Sequence, residues 1–269
     1  MNTSQGILRS TFTSLIGWLF LVLGLLLSGF VYSQTEANLY NVGYGYYNVY
    51  LLAREDNILL IDSGLPNKIK KLERRIRKVG YQPAEVQWMV LTHYHADHVG
   101  AAAWFQQNYG TKIIMHRDEL PIAQKGSFDS LKIVTPNKLL GKIAYSQVIW
   151  EFPPFTPDIL VDSTYNLSQH GFEATIHTVR GHTKGSLIVS MKDKVFVGDL
   201  VRGGLFLNER KPRIHFFAKD FKKVSETIQR LAQEPYKQWY PGHGGVLEQE
   251  KIQKFFRKNI KHLNNTAHE

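Results

Sequence analysis

Cysteine is absent from this chain of 269 residues. Disulfide staples, thiolate nucleophiles and thiolate metal ligands are therefore excluded, and stability has to come from a packed core and from any bound metal. Internal repeats, low-complexity tracts and Pro/Gly-rich linkers are also missing. At this length, one large domain is the simplest organisation. The formal net charge is +10, but Lys and Arg are scattered, as in Lys68 to Lys78 and Lys251 to Lys261, in the manner of exposed helix faces. Hydrophobic content of 43% and charged content of 21% are ordinary for a globular protein.

Long apolar runs are scarce, and one stands out. Leu15 to Leu27 is thirteen residues without a charge, with Arg9 before it and Ser28-Gly29 after it. Val31 and Ser33 place small residues at the −3 and −1 positions of a cleavage site before Gln34. Residues 1–33 therefore read as a secretory signal peptide, with an extracytoplasmic (periplasmic or secreted) destination. The alternative is an uncleaved membrane anchor, because the run extends to Tyr32, eighteen residues, which just reaches spanning length. A nucleic-acid partner is not expected for an exported protein, and membrane attachment would come only through an uncleaved leader.

What the chain does concentrate is histidine. Thr92-His93-Tyr94-His95-Ala96-Asp97-His98 puts three histidines and an aspartate within six positions, followed by Gly100. A packed core has no use for such a string. A metal site does, since imidazole and carboxylate are ligands that zinc accepts. The preceding run, Val86 to Leu91, is apolar and partly β-branched and reads as a buried strand. His93 and His95 are two apart, so at a strand end they face the same way. The following run, Val99 to Gln107, reads as a helix that starts beside Asp97 and His98. Two ligands at the strand end and two at the helix start can serve two neighbouring metal positions.

Further candidates lie in glycine-flanked turns after strand-like runs. Glu173 to Arg180 ends in Gly181-His182-Thr183, Lys194 to Val197 leads into Gly198-Asp199, and Lys237 to Tyr240 into Pro241-Gly242-His243-Gly244. Upstream, Ile58 to Ile61 runs into Asp62-Ser63-Gly64. His116, His170, His177 and His215 lack this pattern and read as surface or core histidines.

Taken together, His93, His95, Asp97, His98, His182, Asp199 and His243, with Asp62 ahead of them, resemble the metallo-β-lactamase-fold superfamily of hydrolases over roughly residues 39 to 247. The resemblance implies an α/β (α+β) fold, a four-layer αββα sandwich with a two-metal site at one edge of the paired sheets. It implies one hydrolase domain over residues 34–269, with an insertion at about 117–161. It implies two Zn2+ ions, with iron or manganese as alternatives. His93, His95 and His182 would hold the first ion, and Asp97, His98 and His243 the second, with Asp199 bridging and Asp62 supporting the ligands by hydrogen bonds.

The chemistry expected of such a pair is attack by a bridging hydroxide on an ester, lactone, thioester, amide or phosphoester, with Asp97 as proton carrier. Alternatives are an iron-dependent oxidoreductase of the same fold and a β-lactamase. Asp199 occupies the position of the Cys ligand of one lactamase class, and the class with H-x-H-x-D-H generally lacks the bridging Asp. Both points weigh against antibiotic hydrolysis. Val201-Arg202-Gly203-Gly204 replaces the Gly-Cys-Gly-Arg stretch of glyoxalase II, and Arg202 stands where acyl-homoserine lactonases tend to carry Tyr. The expected partner is a small-molecule substrate, anionic if Arg202 faces it; otherwise Arg202 is a surface residue. In the 117–161 insertion, Trp150, Phe152 and Phe155 would either bind an apolar group or form the insertion's own small core.

Overall fold

Two six-stranded sheets organise the chain from Ala37 onward. The structure is a computed structural model that describes residues 36–133, 138–204 and 208–265. The expected leader, residues 1–33, lies outside the described residues. Among the described residues, no helix is long and apolar enough to cross a membrane.

The first sheet holds β1 (Asn38–Asn41), β2 (Tyr50–Arg54), β3 (Asn57–Ile61), β4 (Trp88–Val90), β5 (Lys112–His116) and β6 (Ile159–Val161) in that spatial order. Strands β1 to β3 pair antiparallel, and β3 to β6 pair parallel. The second sheet holds β7 (Tyr165–Asn166), β8 (Thr175–Val179), β9 (Ser186–Met191), β10 (Lys194–Gly198), β11 (Gln238–Pro241) and β12 (Leu247–Glu248). Its pairs are antiparallel except β10 with β11. Parallel neighbours need long crossovers, which helices provide. These are α1 (Ile69–Lys78), α2 (Ala96–Val99), α3 (Ala102–Tyr109), α4 (Leu120–Lys125) and α5 (Lys138–Ser146) in the first half. Helix α6 (Phe221–Leu231) joins β10 to β11, and α7 (Gln249–Asn265) follows β12.

The strands are apolar on both faces because both faces are covered. Along β2 and β3, Leu51, Ala53, Ile58 and Leu60 join an outer core with Ile76 and Phe105 of the helices. The alternate residues Tyr50, Leu52, Leu59 and Ile61 join a middle core with Ile176 and Phe196 of the second sheet. Val195, Val197 and Trp239 face outward again, against Val224 and Ile228 of α6 and Ile252 of α7. The result is the four-layer αββα sandwich that the sequence led us to expect. Helix α1 behaves as an exposed basic face, burying Leu72 and Ile76 while Lys70, Arg74, Arg77 and Lys78 meet solvent.

The segment between β5 and β6 carries α4 and α5. The last three residues of the expected insertion, Ile159–Val161, belong to the first sheet as β6. Phe152 and Phe155 are buried in the outer core, and Trp150 packs on Phe128 at 5.2 Å between ring centroids. These aromatics therefore pack the segment onto the outer core and do not form a small core of its own.

Phe196 sits in the middle core, against Tyr50 and Tyr240 at ring distances of 5.2 and 4.9 Å. Phe196→Ala should cost about 3–5 kcal/mol of unfolding free energy, read as a lowered urea midpoint with little change in slope.

Candidate metal centre

Each candidate side chain sits just beyond the carboxyl end of a strand, at one edge of the paired sheets. Asp62 follows β3, His93 and His95 follow β4, and α2 then carries Asp97 and His98. His182 follows β8, Asp199 follows β10, and His243 follows β11. Polar bonds close this edge. Leu187 N–H donates to Thr92 O at 2.7 Å, and Asn48 Nδ2 donates to Pro241 O and Gly244 O at 2.8 and 2.7 Å. Gly242 is required beside the cluster, because a Cβ there would collide with the Asp199 carboxylate and the His98 ring.

Three imidazole nitrogens converge first. His93 Nε2 lies 3.0 Å from His95 Nδ1 and 3.2 Å from His182 Nε2, and the last two are 3.1 Å apart. Nitrogens around one zinc at 2.0–2.1 Å stand about 3.3 Å apart in a tetrahedron, so this spacing suits a shared cation. Two of the far nitrogens, those of His93 and His182, are held in place. Thr92 Oγ1 meets His93 Nδ1 at 3.0 Å, and Phe217 O accepts from His182 Nδ1 at 3.0 Å. These bonds put protons on the far nitrogens and leave lone pairs facing inward.

A second group stands beside the first. His243 Nε2 lies 3.2 Å from Asp97 Oδ2, and His98 Nε2 lies 3.9 Å from Asp97 Oδ1. Asp62 Oδ2 accepts from His98 Nδ1 at 2.8 Å, while Asp62 Oδ1 accepts from Thr92 N–H at 2.8 Å. Asp62 thus orients His98 directly and His93 through Thr92. Its backbone is left-handed, with φ at 64°. Asp199 lies between the groups: its Oδ2 is 3.7 and 3.5 Å from His93 and His182 Nε2, and 3.4 Å from both His98 and His243 Nε2.

Burial divides the histidines. It holds His93 and His182 well below the ordinary imidazole range and brings His95 down to about 3. These three are neutral at pH 7, as ligands must be. Burial also works against the charged forms of His98 and His243, but Asp199 and Asp97 outweigh it. Asp62 adds to this at His98. His98 is pushed well up and His243 to about 9. In return, His98 and His243 hold Asp97 below the usual carboxylate range against burial, and Asp199 is held well below it by His215, His243 and His98.

The donor set fits divalent cations. His93, His95, His182 and Asp199 form one cluster, Asp97, His98 and His243 another, and Asp199, His215 and His243 a third. Buried polar atoms without a hydrogen-bond partner gather here too, among them His98 Nε2, which faces Asp97 and Asp199, and Asp199 Oδ1. Such groups are costly in a dry interior unless something else satisfies them.

The profile of the metallo-beta-lactamase superfamily matches residues 42–243. The chain belongs to this superfamily. It is 25% identical over 161 residues to the probable metallo-hydrolase YqgX of Bacillus subtilis, covering 59% of this chain and 68% of that one. It is 22% identical over 220 residues to a beta-lactamase-like protein 2 homolog of Caenorhabditis elegans, covering 80% of this chain and 62% of that one. In structure it is similar to a beta-lactamase from Chitinophaga pinensis, with a TM-score of 0.62 and 16% identity over 87% of this chain and 92% of that one. It is also similar to a subclass B3 metallo-beta-lactamase of Bradyrhizobium japonicum, with a TM-score of 0.58 and 17% identity over 87% and 93% of the two chains. At such identities the structural likeness speaks for the metallo-beta-lactamase fold alone.

At this metallo-beta-lactamase-fold edge the readings of His215 and Arg202 are corrected, and one further residue, Glu119, is not singled out by the sequence. His215 is a member of the site. Its Nε2 donates to Asp199 Oδ2 at 3.0 Å, and its Nδ1 accepts from Phe217 N–H at 3.2 Å. No glycine turn or strand end marks it in the sequence. Glu119 is fully buried, with Tyr94 N–H donating to Oε2 at 3.0 Å and Gly185 N–H to Oε1 at 2.7 Å. It ties the His93–His95 loop to the loop after His182. Arg202, expected at the substrate or on the surface, is not on the surface. Its guanidinium is buried, donating to Tyr46 Oη at 2.9 Å and Gly203 O at 3.1 Å and stacking on Phe216 at 4.0 Å. Tyr46 and Phe216 line a cleft that opens over Asp97, Asp199, His215 and His243, and Arg202 is not among the residues that line it.

Burial pushes the Glu119 carboxyl from 4.5 up to about 7, against the hydrogen bonds from Gly185, Thr183 and Tyr94. The folded pKa exceeds the unfolded one, so this stability is fully present below about 4.5 and is lost as pH rises through about 7. Urea denaturation across that window should show a decline that Glu119→Gln lacks. Glu119→Ala orphans two buried donors and should cost about 2–5 kcal/mol.

Proposed function

We propose that the chain is a dinuclear zinc hydrolase acting on an ester, lactone, thioester or amide bond. The position of Asp199 Oδ2, within 3.4–3.7 Å of imidazole nitrogens from both groups, carries this reading. His93, His95 and His182 would hold one ion, and Asp97, His98 and His243 the other, with Asp199 shared. A nitrogen-rich set with carboxylates suits zinc, and iron or manganese take similar donors. Bound there, the pair supplies a water acidified toward neutral pH and polarises the bond under attack.

The chain's own groups do the rest. Asp62 and Thr92 fix the rings of His98 and His93. His215 fixes the shared carboxylate of Asp199. Asp97 is ionised, borders the cleft and remains partly exposed, so it is placed to accept the proton of the nucleophile and return it to the leaving group. The uncharged run Leu15 to Leu27 supports an extracytoplasmic location.

Two measurements test the site. Asp97→Ala should lower kcat by about 10²–10⁴-fold and weaken one of two bound zinc equivalents. Near-wild-type turnover would remove Asp97 from the chemistry. Substrates for this assay come from a panel of lactones, thioesters, β-lactams and phosphodiesters. If protein carrying two equivalents of zinc hydrolyses none of them, the hydrolase reading fails. Bound iron with a visible chromophore would favour a redox enzyme.

Proton release provides the second measurement. Without metal, His98 and His243 are protonated at pH 7, while His93, His95 and His182 are neutral. A first zinc equivalent should enter the neutral trio with little proton release. A second should displace protons from His98 and His243 and bind more tightly as pH rises toward about 9. Calorimetric titration in two buffers of different ionisation enthalpy counts these protons. A second equivalent that binds alike from pH 7 to 9 would contradict the assignment.

A further inference from the structure

We infer that the substrate carries an apolar chain or ring that packs against α5, Phe128 and Phe217. This rests on the hydrolase reading and narrows its substrate class. A cleft of about 380 Å³ opens over Asp97, Asp199, His215 and His243. Above this polar floor, its walls include Phe128, Leu131, Leu140, Ile143, Val148 and Phe217. None of the described residues lining it is Lys or Arg. The described walls thus offer no cation to a charged group held away from the floor. Arg202, the cation nearest in sequence to Asp199, donates to Tyr46 and Gly203, stacks on Phe216 and is not among the residues that line the cleft.

Exposure on α5 agrees. Leu140 and Ile143 are 44% and 52% exposed, and both border the cleft. They are three apart on a helix and so share one face. Large aliphatic side chains that open onto a reactive floor gain by being covered, and an apolar substrate group seated beside them provides that cover. At roughly 30 Å³ per water molecule in the liquid, the cleft has the volume of about a dozen waters. That suits a medium-length acyl chain or a substituted ring.

Zinc-loaded full-length protein and the p-nitrophenyl esters of acetate, butyrate and octanoate test this. kcat/KM should rise about three- to four-fold per added methylene until the cleft is filled. Ile143→Glu should lower the octanoate-to-acetate ratio of kcat/KM by about ten-fold or more. Leu139→Glu, on the same helix but 69% exposed and outside the cleft lining, should leave that ratio unchanged. Binding is read separately by calorimetry on metal-free protein, with 2-octanone expected to bind more tightly than acetone and Ile143→Glu to weaken it.

If no ester is cleaved but 2-octanone binds and Ile143→Glu weakens it, the apolar pocket stands and the hydrolase reading falls. If all esters are cleaved without chain-length dependence and 2-octanone binds no better than acetone, the inference is overturned and hydrolysis stands. Equal loss of the ratio in Leu139→Glu and Ile143→Glu would also overturn it, because the effect would then not belong to the cleft.

Discussion

One carboxylate oxygen, Asp199 Oδ2, lies within 3.0–3.7 Å of five imidazole nitrogens: those of His215, His98, His243, His182 and His93. So many polar groups in a buried space are stable only if each is oriented and its charge balanced. Much of the surrounding chain serves that requirement. Asp62, Thr92 and the Phe217 carbonyl fix ring orientations from behind. Gly242 keeps its side of the cluster free of a side chain, and Glu119 ties together two of the loops that carry the histidines. The sheets contribute their strand ends, where backbone groups and short turns bring distant residues together.

The cluster is also divided by charge. Its three neutral imidazoles sit where burial dominates, and its two protonated ones sit where carboxylates do. The division follows the two groups of candidate ligands. The surface is strongly basic, with a net charge of +10, yet the floor of the cleft carries Asp97 and Asp199 under apolar walls. Net charge therefore says little about what enters the site.

The parts of the fold legible in the sequence are those that depend on local pattern. The apolar runs before Asp62, His93, Asp199 and His243 formed strands, and the string from His93 to His98 formed a strand end and a short helix, because periodicity and glycine turns are local signals. His215 was not legible: it lies between Ile214 and Phe216, and only the approach of its loop to Asp199 gives it a role. Nothing in the local pattern singles out Glu119, whose role comes from the loops of Tyr94 and Gly185 closing on it. The surface alternative for Arg202 failed because sequence does not report burial, and its partner Tyr46 is 156 residues away along the chain. Trp150, Phe152 and Phe155 kept two readings open, since an aromatic that packs and one that binds have the same composition.

The strands that are apolar on both faces carry one more implication. When one face of a sheet meets water, a one-residue slip exposes the core, and that penalty sets the register. In β2 and β3 a slip would move one aliphatic residue into the place of another, with Leu51 and Leu52, or Leu59 and Leu60, exchanging layers. Hydrophobicity therefore discriminates weakly between alignments. The polar residues at the strand ends discriminate strongly: Asn48 must reach Pro241 and Gly244, and Asp62 must reach Thr92 and His98. The hydrogen bonds that orient the reactive cluster thus also serve as the alignment marks by which the sheets find their pairing.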